Sequence, residues 1–220
     1  MHLCPRLKVC CIASVQEATL AVRYGASAVG LVSAMPSGPG PISEDRIAQI
    51  AATVPPPIAT FLLTCLQDAD RIIEQQQRCG TNTIQLCDRL TRGSYQRMRQ
   101  AMPGVRIVQV IHVMGAESIE DALSIEDQVD AILLDSGNPT LAIKELGGTG
   151  RRHDWAISRQ IRERLRIPIF LAGGLHAQNV AQAIEQVNPF GLDVCSGVRT
   201  AGALDEEKLR SFLAAAGSLG

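Results

Sequence analysis

The chain has 220 residues, a formal net charge of -1, 46% hydrophobic side chains and only 3% aromatic ones. This is enough for one sizeable domain with a full core, close to the length of a small barrel of eight βα units. The balanced charge offers no basic field for nucleic acid, the scarce aromatics no base-stacking platform, and no apolar stretch is long enough to span a bilayer.

Strand and helix patterns alternate along the chain without a linker. Residues 7–12 read as a first strand, and Ser14 with Glu17 has the spacing of a capping box that opens a helix ending before Gly25. Strands follow at 27–32, 57–63, 83–87, 105–111 and 131–134, the last closing on Asp135. Helices are expected at 43–53, 68–79, 93–101 and 117–128. The second strand runs into a breaker-rich loop, Met35-Pro36-Ser37-Gly38-Pro39-Gly40-Pro41. A long loop over 136–153 carries Gly147-Gly148-Thr149-Gly150, and Asp154 is placed to cap the sixth helix.

Ile169, Phe170 and Leu171 form a short apolar run between Pro168 and Gly173-Gly174, the pattern of a strand buried on both faces. Val180, Ala183, Ile184 and Val187 then share one helical face. A similar strand and turn, 191–198 with Ser196-Gly197, follows before a last helix near Asp205. Eight strands alternating with eight helices predict a single α/β domain over 1–220, a closed (β/α)8 TIM barrel, with an open doubly wound sheet as the alternative. Glycine turns after the last two strands expose backbone N–H groups, which makes Gly173, Gly174, Ser196 and Gly197 candidate phosphate-binding residues.

In such a barrel the reacting groups sit at strand C-terminal ends. Those ends carry Cys10-Cys11, Cys65, Gln85, Cys87, His112 and Asp135. Neighbouring cysteines on a strand point to opposite faces, so at most one of Cys10 and Cys11 is expected at the mouth. A buried cysteine is commonly a small apolar filler. A carboxylate that closes the apolar run 131–134 is harder to explain as packing, and Asp135 is suited to general acid or base work. Seven cysteines in an irregular set read as reduced thiols in a cytoplasmic protein, and residues 1–8 lack a secretory signal. No Cys-x2-Cys or His-x3-His pair suggests a metal site.

With these residues in view, the chain resembles the phosphoribosylanthranilate isomerase family of tryptophan biosynthesis over nearly its whole length. The matching segments are Leu7-Lys8-Val9-Cys10, Gly25-Ala26-Ser27-Ala28-Val29-Gly30, Ile84-Gln85-Leu86 and Leu133-Leu134-Asp135. They continue with Gly147-Gly148-Thr149-Gly150 and Asp154-Trp155, Ala172-Gly173-Gly174-Leu175 with Asn179-Val180, and Asp193-Val194 with Ser196-Gly197-Val198. The resemblance implies a (β/α)8 barrel that converts an aminoaldose phosphate to an aminoketose phosphate by an Amadori rearrangement. Asp135 would act as general acid on the ribose ring oxygen and Cys10 as general base at C2. Gln85 and Arg199 are candidate substrate-binding residues. No cofactor or metal is implied, the partner is a phosphorylated sugar-amine substrate, and the expected assembly is a monomer or homodimer.

Four departures from the family pattern stand out. Cys11 follows the catalytic cysteine where the family has Gly, Cys87 replaces His, and Arg199 replaces Glu. The second loop, which brings the family an Arg facing the anthranilate carboxylate, here has no positive charge between Met35 and Pro41. Losing that pair removes about 1.5–3 kcal/mol, a ten- to hundredfold weaker contact. Arg199 is the nearest cation in sequence to replace it, unless it pairs with Asp205 or Glu206. The altered loop predicts weak or no activity on phosphoribosylanthranilate, and the alternatives are a divergent enzyme acting on another sugar phosphate or a non-catalytic barrel that binds a phosphorylated ligand.

Overall fold

The computed structural model describes residues 5–217. Its central feature is a closed parallel barrel of eight strands in sequence order. They are β1 (Arg6–Val9), β2 (Ala28–Val32), β3 (Ala59–Thr64), β4 (Thr83–Leu86), β5 (Arg106–His112), β6 (Ala131–Asp135), β7 (Ile169–Leu171) and β8 (Gly191–Val194). The barrel closes where β1 pairs with β8, from Arg6↔Gly191 to Val9↔Val194. The open-sheet alternative is thereby excluded.

Helices α1 (Val15–Arg23), α2 (Glu44–Ala51), α3 (Ala69–Cys79), α4 (Tyr95–Ala101), α5 (Glu117–Leu123), α6 (Trp155–Arg164), α7 (Val180–Val187) and α8 (Glu206–Gly217) follow the strands in turn. Alternation along each strand sorts side chains into two cores. Leu7, Val9, Leu31, Leu62, Ile84 and Leu134 pack outward beneath the helices with Ile47, Ile72 and Phe212. Cys10, Val32, Phe61, Leu63, Val108, Leu133 and Phe170 fill the interior.

Local chemistry sets the ends. Ser14 Oγ caps α1 by accepting from Glu17 N–H at 3.1 Å, but Glu17 reaches back to Ala13 N–H at 2.9 Å, so the capping box is displaced by one residue. Asp154 caps α6 through Ala156 N–H at 2.8 Å. The predicted helix over 93–101 starts later, because Gly93 has φ 81° and Ser94 is the N-cap. The predicted helix over 117–128 is divided: α5 ends at Leu123, the Ser124 hydroxyl donates back to Asp121 O, and a 3-10 turn occupies Glu126–Gln128. Between β8 and α8 lies a small antiparallel hairpin, β9 (Arg199–Thr200) with β10 (Ala203–Leu204), preceded by a 3-10 turn over Ser196–Val198. The Ser14 and Asp154 caps were expected from the sequence; the hairpin and the two 3-10 turns were not.

Candidate active site at the barrel mouth

A cavity enclosing about 680 Å³ of space, part of it open to solvent, lies at the C-terminal end of the strands. Cys10, Gln85, Asp135, Gly173, Gly174 and Ser196 all line it. Six of the eight residues proposed from the sequence thus meet around one mouth. Gly197 and Arg199 do not.

Lys8 on β1 turns toward the interior, and Cys10, just past the strand but still bonded through its N–H to Val194 O, does the same. Both crowd the backbone of β2 at Gly30, where a Cβ would stand 2.8 Å from Cys10 Sγ and 3.0 Å from Lys8 Nζ. Only a residue without a side chain leaves space for the thiol and the ammonium there. Lys8 is fully buried and donates to Asp193 on β8 at 2.8 Å. Burial opposes its charge, but Asp193 and the thiols of Cys10 and Cys11 outweigh burial and hold Lys8 above its ordinary range. Burial also pushes the Asp193 carboxyl up, with Lys8 drawing it back down.

Cys10 and Cys11 both line the cavity, contrary to the expected opposition of neighbours. The reason is that β1 stops at Val9, so the alternation rule no longer applies. Cys11 takes the left-handed conformation with φ 61°, which is uncommon for a residue with a Cβ and swings its side chain back to the mouth. Its sulfur lies 2.6 Å from that of Cys195 at the end of β8.

Asp135 ends β6 and is buried, with Oδ1 accepting from Ser136 N–H at 2.7 Å. Gly147 passes directly over its other oxygen, where a Cβ would come within 2.7 Å of Oδ2. On β4, two strands away, Gln85 lines the same cavity, is 3% exposed, and its buried Oε1 has no protein partner. Its Nε2 donates to Cys87 Sγ at 3.8 Å. Burial pushes the Cys87 thiol up, which makes it an inert filler. His112 does not line the cavity, and its Nε2 pairs with Cys87 O at 3.0 Å.

The glycine turn after β7 is built for close approach. Gly174 has φ 63°, and a Cβ there would meet Gly150 O at 2.8 Å and Arg151 C at 2.9 Å. The 147–151 stretch therefore rests on this turn. Asn179 supports it from behind, accepting from His176 N–H and donating to Gly174 O. The turn over 175–179 separates Gly173-Gly174 from α7, so the cradle is made of loop backbone rather than the first turn of that helix. Gly197 lies behind the cavity wall, packed so tightly on Leu175 O that a Cβ would stand 2.0 Å away. Under the cradle, His153 pairs with Ser158 Oγ at 2.7 Å, and burial lowers its pKa to about 4.

Arg199 neither reaches the mouth nor pairs with Asp205 or Glu206. Its guanidinium is 7% exposed and bridges to Glu17 at 3.0 Å, donating also to Gly202 O and to the carbonyls of Cys10 and Cys11. Burial works against the Glu17 charge, but Arg199 and the N–H groups of Leu204 and Ala13 hold the carboxyl below its ordinary range. Asp205 accepts instead from Thr200 Oγ1, and Glu206 from the Tyr24 hydroxyl. Arg199 therefore holds the backbone on which Cys10 and Cys11 sit.

Two long loops meet above the cavity. The Ser37 hydroxyl donates to Lys144 O at 2.7 Å, and Pro39 packs against Gly148. Lys144 is itself paired with Asp88 at 2.5 Å. The role of Lys8 with Asp193, and that of Lys144 with Asp88, were not read from the sequence; only the charge of Lys8 inside an apolar strand pattern signalled the first. Among the described residues, no cluster of three or more His, Cys, Asp or Glu side chains could hold a metal ion. No helix among them is long and apolar enough to cross a membrane.

A carboxyl, a thiol and two glycine-containing turns around the C-terminal mouth of a closed barrel have the layout of a (β/α)8 enzyme. The family profile of N-(5'-phosphoribosyl)anthranilate (PRA) isomerase matches residues 7–215. Among curated relatives, the N-(5'-phosphoribosyl)anthranilate isomerase 2 of Methanosarcina mazei is 37% identical over 210 residues, covering 94% of this chain and 92% of its own. The enzyme of Methanocella arvoryzae is 33% identical, covering 88% of each. Phosphoribosyl anthranilate isomerase from Thermotoga maritima superposes with a TM-score of 0.80 at 28% identity, covering 96% of this chain and 98% of that one. A phosphoribosyl anthranilate isomerase in complex with reduced 1-(o-carboxyphenylamino)-1-deoxyribulose 5-phosphate gives 0.78 at 26% identity, with the same coverage. The chain belongs to the phosphoribosylanthranilate isomerase family, enzymes that interconvert an aldose and a ketose in tryptophan biosynthesis.

Proposed function

We propose that this protein isomerises phosphoribosylanthranilate, with Asp135 as general acid and Cys10 as general base. Asp135 protonates the ribose ring oxygen, and the ring opens to a Schiff base. Cys10 as thiolate then takes the proton from C2, giving an enolamine that tautomerises to the ketose. The two groups come from β6 and from the end of β1, so the sugar lies between donor and acceptor. Gln85 Oε1 accepts from a sugar hydroxyl, and the backbone at Gly173, Gly174 and Ser196 holds the phosphate. Lys8, held by Asp193, stands beside Cys10 where both side chains pack on Gly30.

The observation that carries this reading is the lining of one cavity by Cys10, Gln85, Asp135 and both turns after β7 and β8. The test is direct: purified protein is added to phosphoribosylanthranilate and the loss of anthranilate fluorescence is followed beside product formation. Catalysed conversion supports the reading, whereas decay at the rate of the protein-free control overturns it.

A further inference from the structure

Cys11 and Cys195 are used by no step of the proposed reaction, yet they stand together in the cavity wall. Cys11 lies two residues past β1 and Cys195 directly after β8, strands that pair along the barrel seam. Their sulfurs touch at 2.6 Å, and Cys11 Sγ also neighbours Pro39 O at 3.6 Å and the Cys10 thiol. The contact depends on the left-handed backbone of Cys11, φ 61°, a strained arrangement for a non-glycine residue. Gly40 makes space opposite, since a Cβ there would stand 2.7 Å from Cys11 Cβ. Both thiols line the cavity, and Cys195 is only half-buried, so a small solute can reach them.

We propose that Cys11 and Cys195 form a dithiol modification site, closed to a disulfide by a peroxide, and that closure lowers turnover at the adjoining mouth. Cys195 is the attacking sulfur. The neighbouring Cys11 thiol, against the opposing effect of burial, pulls its pKa below the ordinary thiol value, and Arg199 adds to this. Cys195 thiolate attacks one peroxide oxygen, the O–O bond breaks, and the departing hydroxide takes up a proton to leave as water. The resulting sulfenic acid is then displaced by Cys11 sulfur. The S–S bond forms, the S–O bond breaks, and the Cys11 proton leaves with the second hydroxide as water. Two thiols lose two electrons and the peroxide is reduced to two waters.

Closure acts on the site because both cysteines adjoin residues assigned to it. Cys10 is bonded to Cys11 and donates its N–H to Val194 O at 2.8 Å, while Cys195 precedes Ser196 of the cradle. A bond of about 2.05 Å draws these two turns together and fixes the base and the cradle in new positions. This consequence rests on the catalytic reading above; the bond itself does not.

The experiment treats the full chain with stoichiometric hydrogen peroxide and maps peptides without reduction, in the natural protein and in Cys11→Gly. Glycine adopts φ 61° freely, so this variant keeps the turn. The expected result is a Cys11–Cys195 linked peptide and a melting temperature raised on the order of 10 °C. Phosphoribosylanthranilate turnover falls at least tenfold and returns with dithiothreitol, and the linked peptide, the thermal shift and the reversible loss all disappear in Cys11→Gly. Absence of the linked peptide, or a reversible loss that persists in Cys11→Gly, overturns the proposal. A linked peptide in a protein with no turnover when reduced would leave the dithiol standing and remove the isomerase reading instead.

Discussion

Lys8 and Asp193 meet across the seam where β8 closes on β1, ammonium to carboxylate at 2.8 Å, with Lys8 wholly shielded from water. They are paired residues in the strand register, so the ion pair spans the closure itself. Removing one partner strands a charge in the barrel interior, at a cost of about 3–5 kcal/mol. Lys8→Met is expected to lower the melting temperature by roughly 10 °C. Lys8→Met with Asp193→Leu is expected to recover part of that loss. Thermal unfolding checks both, and a single variant as stable as the parent would refute the buried pair.

His153 gives a pH dependence with a defined sign. Its pKa falls from 6.5 to about 4 on folding because it is buried. The unfolded chain therefore binds a proton that the folded chain refuses, so stability is present above pH 6.5 and is lost as the pH falls toward 4. For a difference of that size the loss is about 3 kcal/mol at full extent. His153→Gln keeps a partner for Ser158 without a titrating ring. Denaturant unfolding between pH 7 and 4 should show a shallower acid decline in that variant, and equal declines would count against this assignment.

The phosphate cradle is best tested at Ser196. An aspartate at Gly174 would first collide with the backbone of Gly150 and Arg151, so weakened binding there would not report on the anion. Ser196 is exposed at the cavity edge and has room. Ser196→Asp places a carboxylate at the proposed phosphate position, and like charges that close weaken affinity by roughly tenfold or more. Titration with inorganic phosphate should show this loss, with Ser196→Ala nearly unchanged. Equal affinity in Ser196→Asp and the parent would move the phosphate elsewhere.

Substrate choice turns on the loop after β2. It has no cation, and Lys144 beneath it is engaged with Asp88. Gly40 has φ 86° with Cys11 against it, so an arginine is not accommodated there. Ser37 lines the cavity and is the better position. Ser37→Arg is expected to raise kcat/KM for phosphoribosylanthranilate about ten- to hundredfold through a charge-assisted pair with the aryl carboxylate. No gain would mean that the carboxylate is already met by another group.

The fold was legible because short apolar strands and amphipathic helices alternate with clear breakers, as at Ile169–Leu171 between Pro168 and Gly173. The place of Asp135 at the mouth was legible as a charge ending an apolar run, and the glycine turns beside it from their residues. What escaped was set by a single backbone angle or by distant partners. Cys11 faces the mouth only because φ is 61°, an angle that no side-chain pattern announces. Arg199 pairs with Glu17 across 182 residues, and Lys8 with Asp193 across 185, contacts that exist only once the barrel closes.

The central claim is that Cys10 and Asp135 act chemically on the substrate rather than merely shaping its pocket. The decisive measurement is kcat for phosphoribosylanthranilate in Cys10→Ala and Asp135→Asn, together with the affinity of each for the reduced product analogue. Removing a general acid or base is expected to lower kcat by roughly 10²–10⁴-fold in each variant, with analogue affinity kept within a few fold. Full turnover in either variant, or a loss explained wholly by weaker binding of the analogue, would contradict the account.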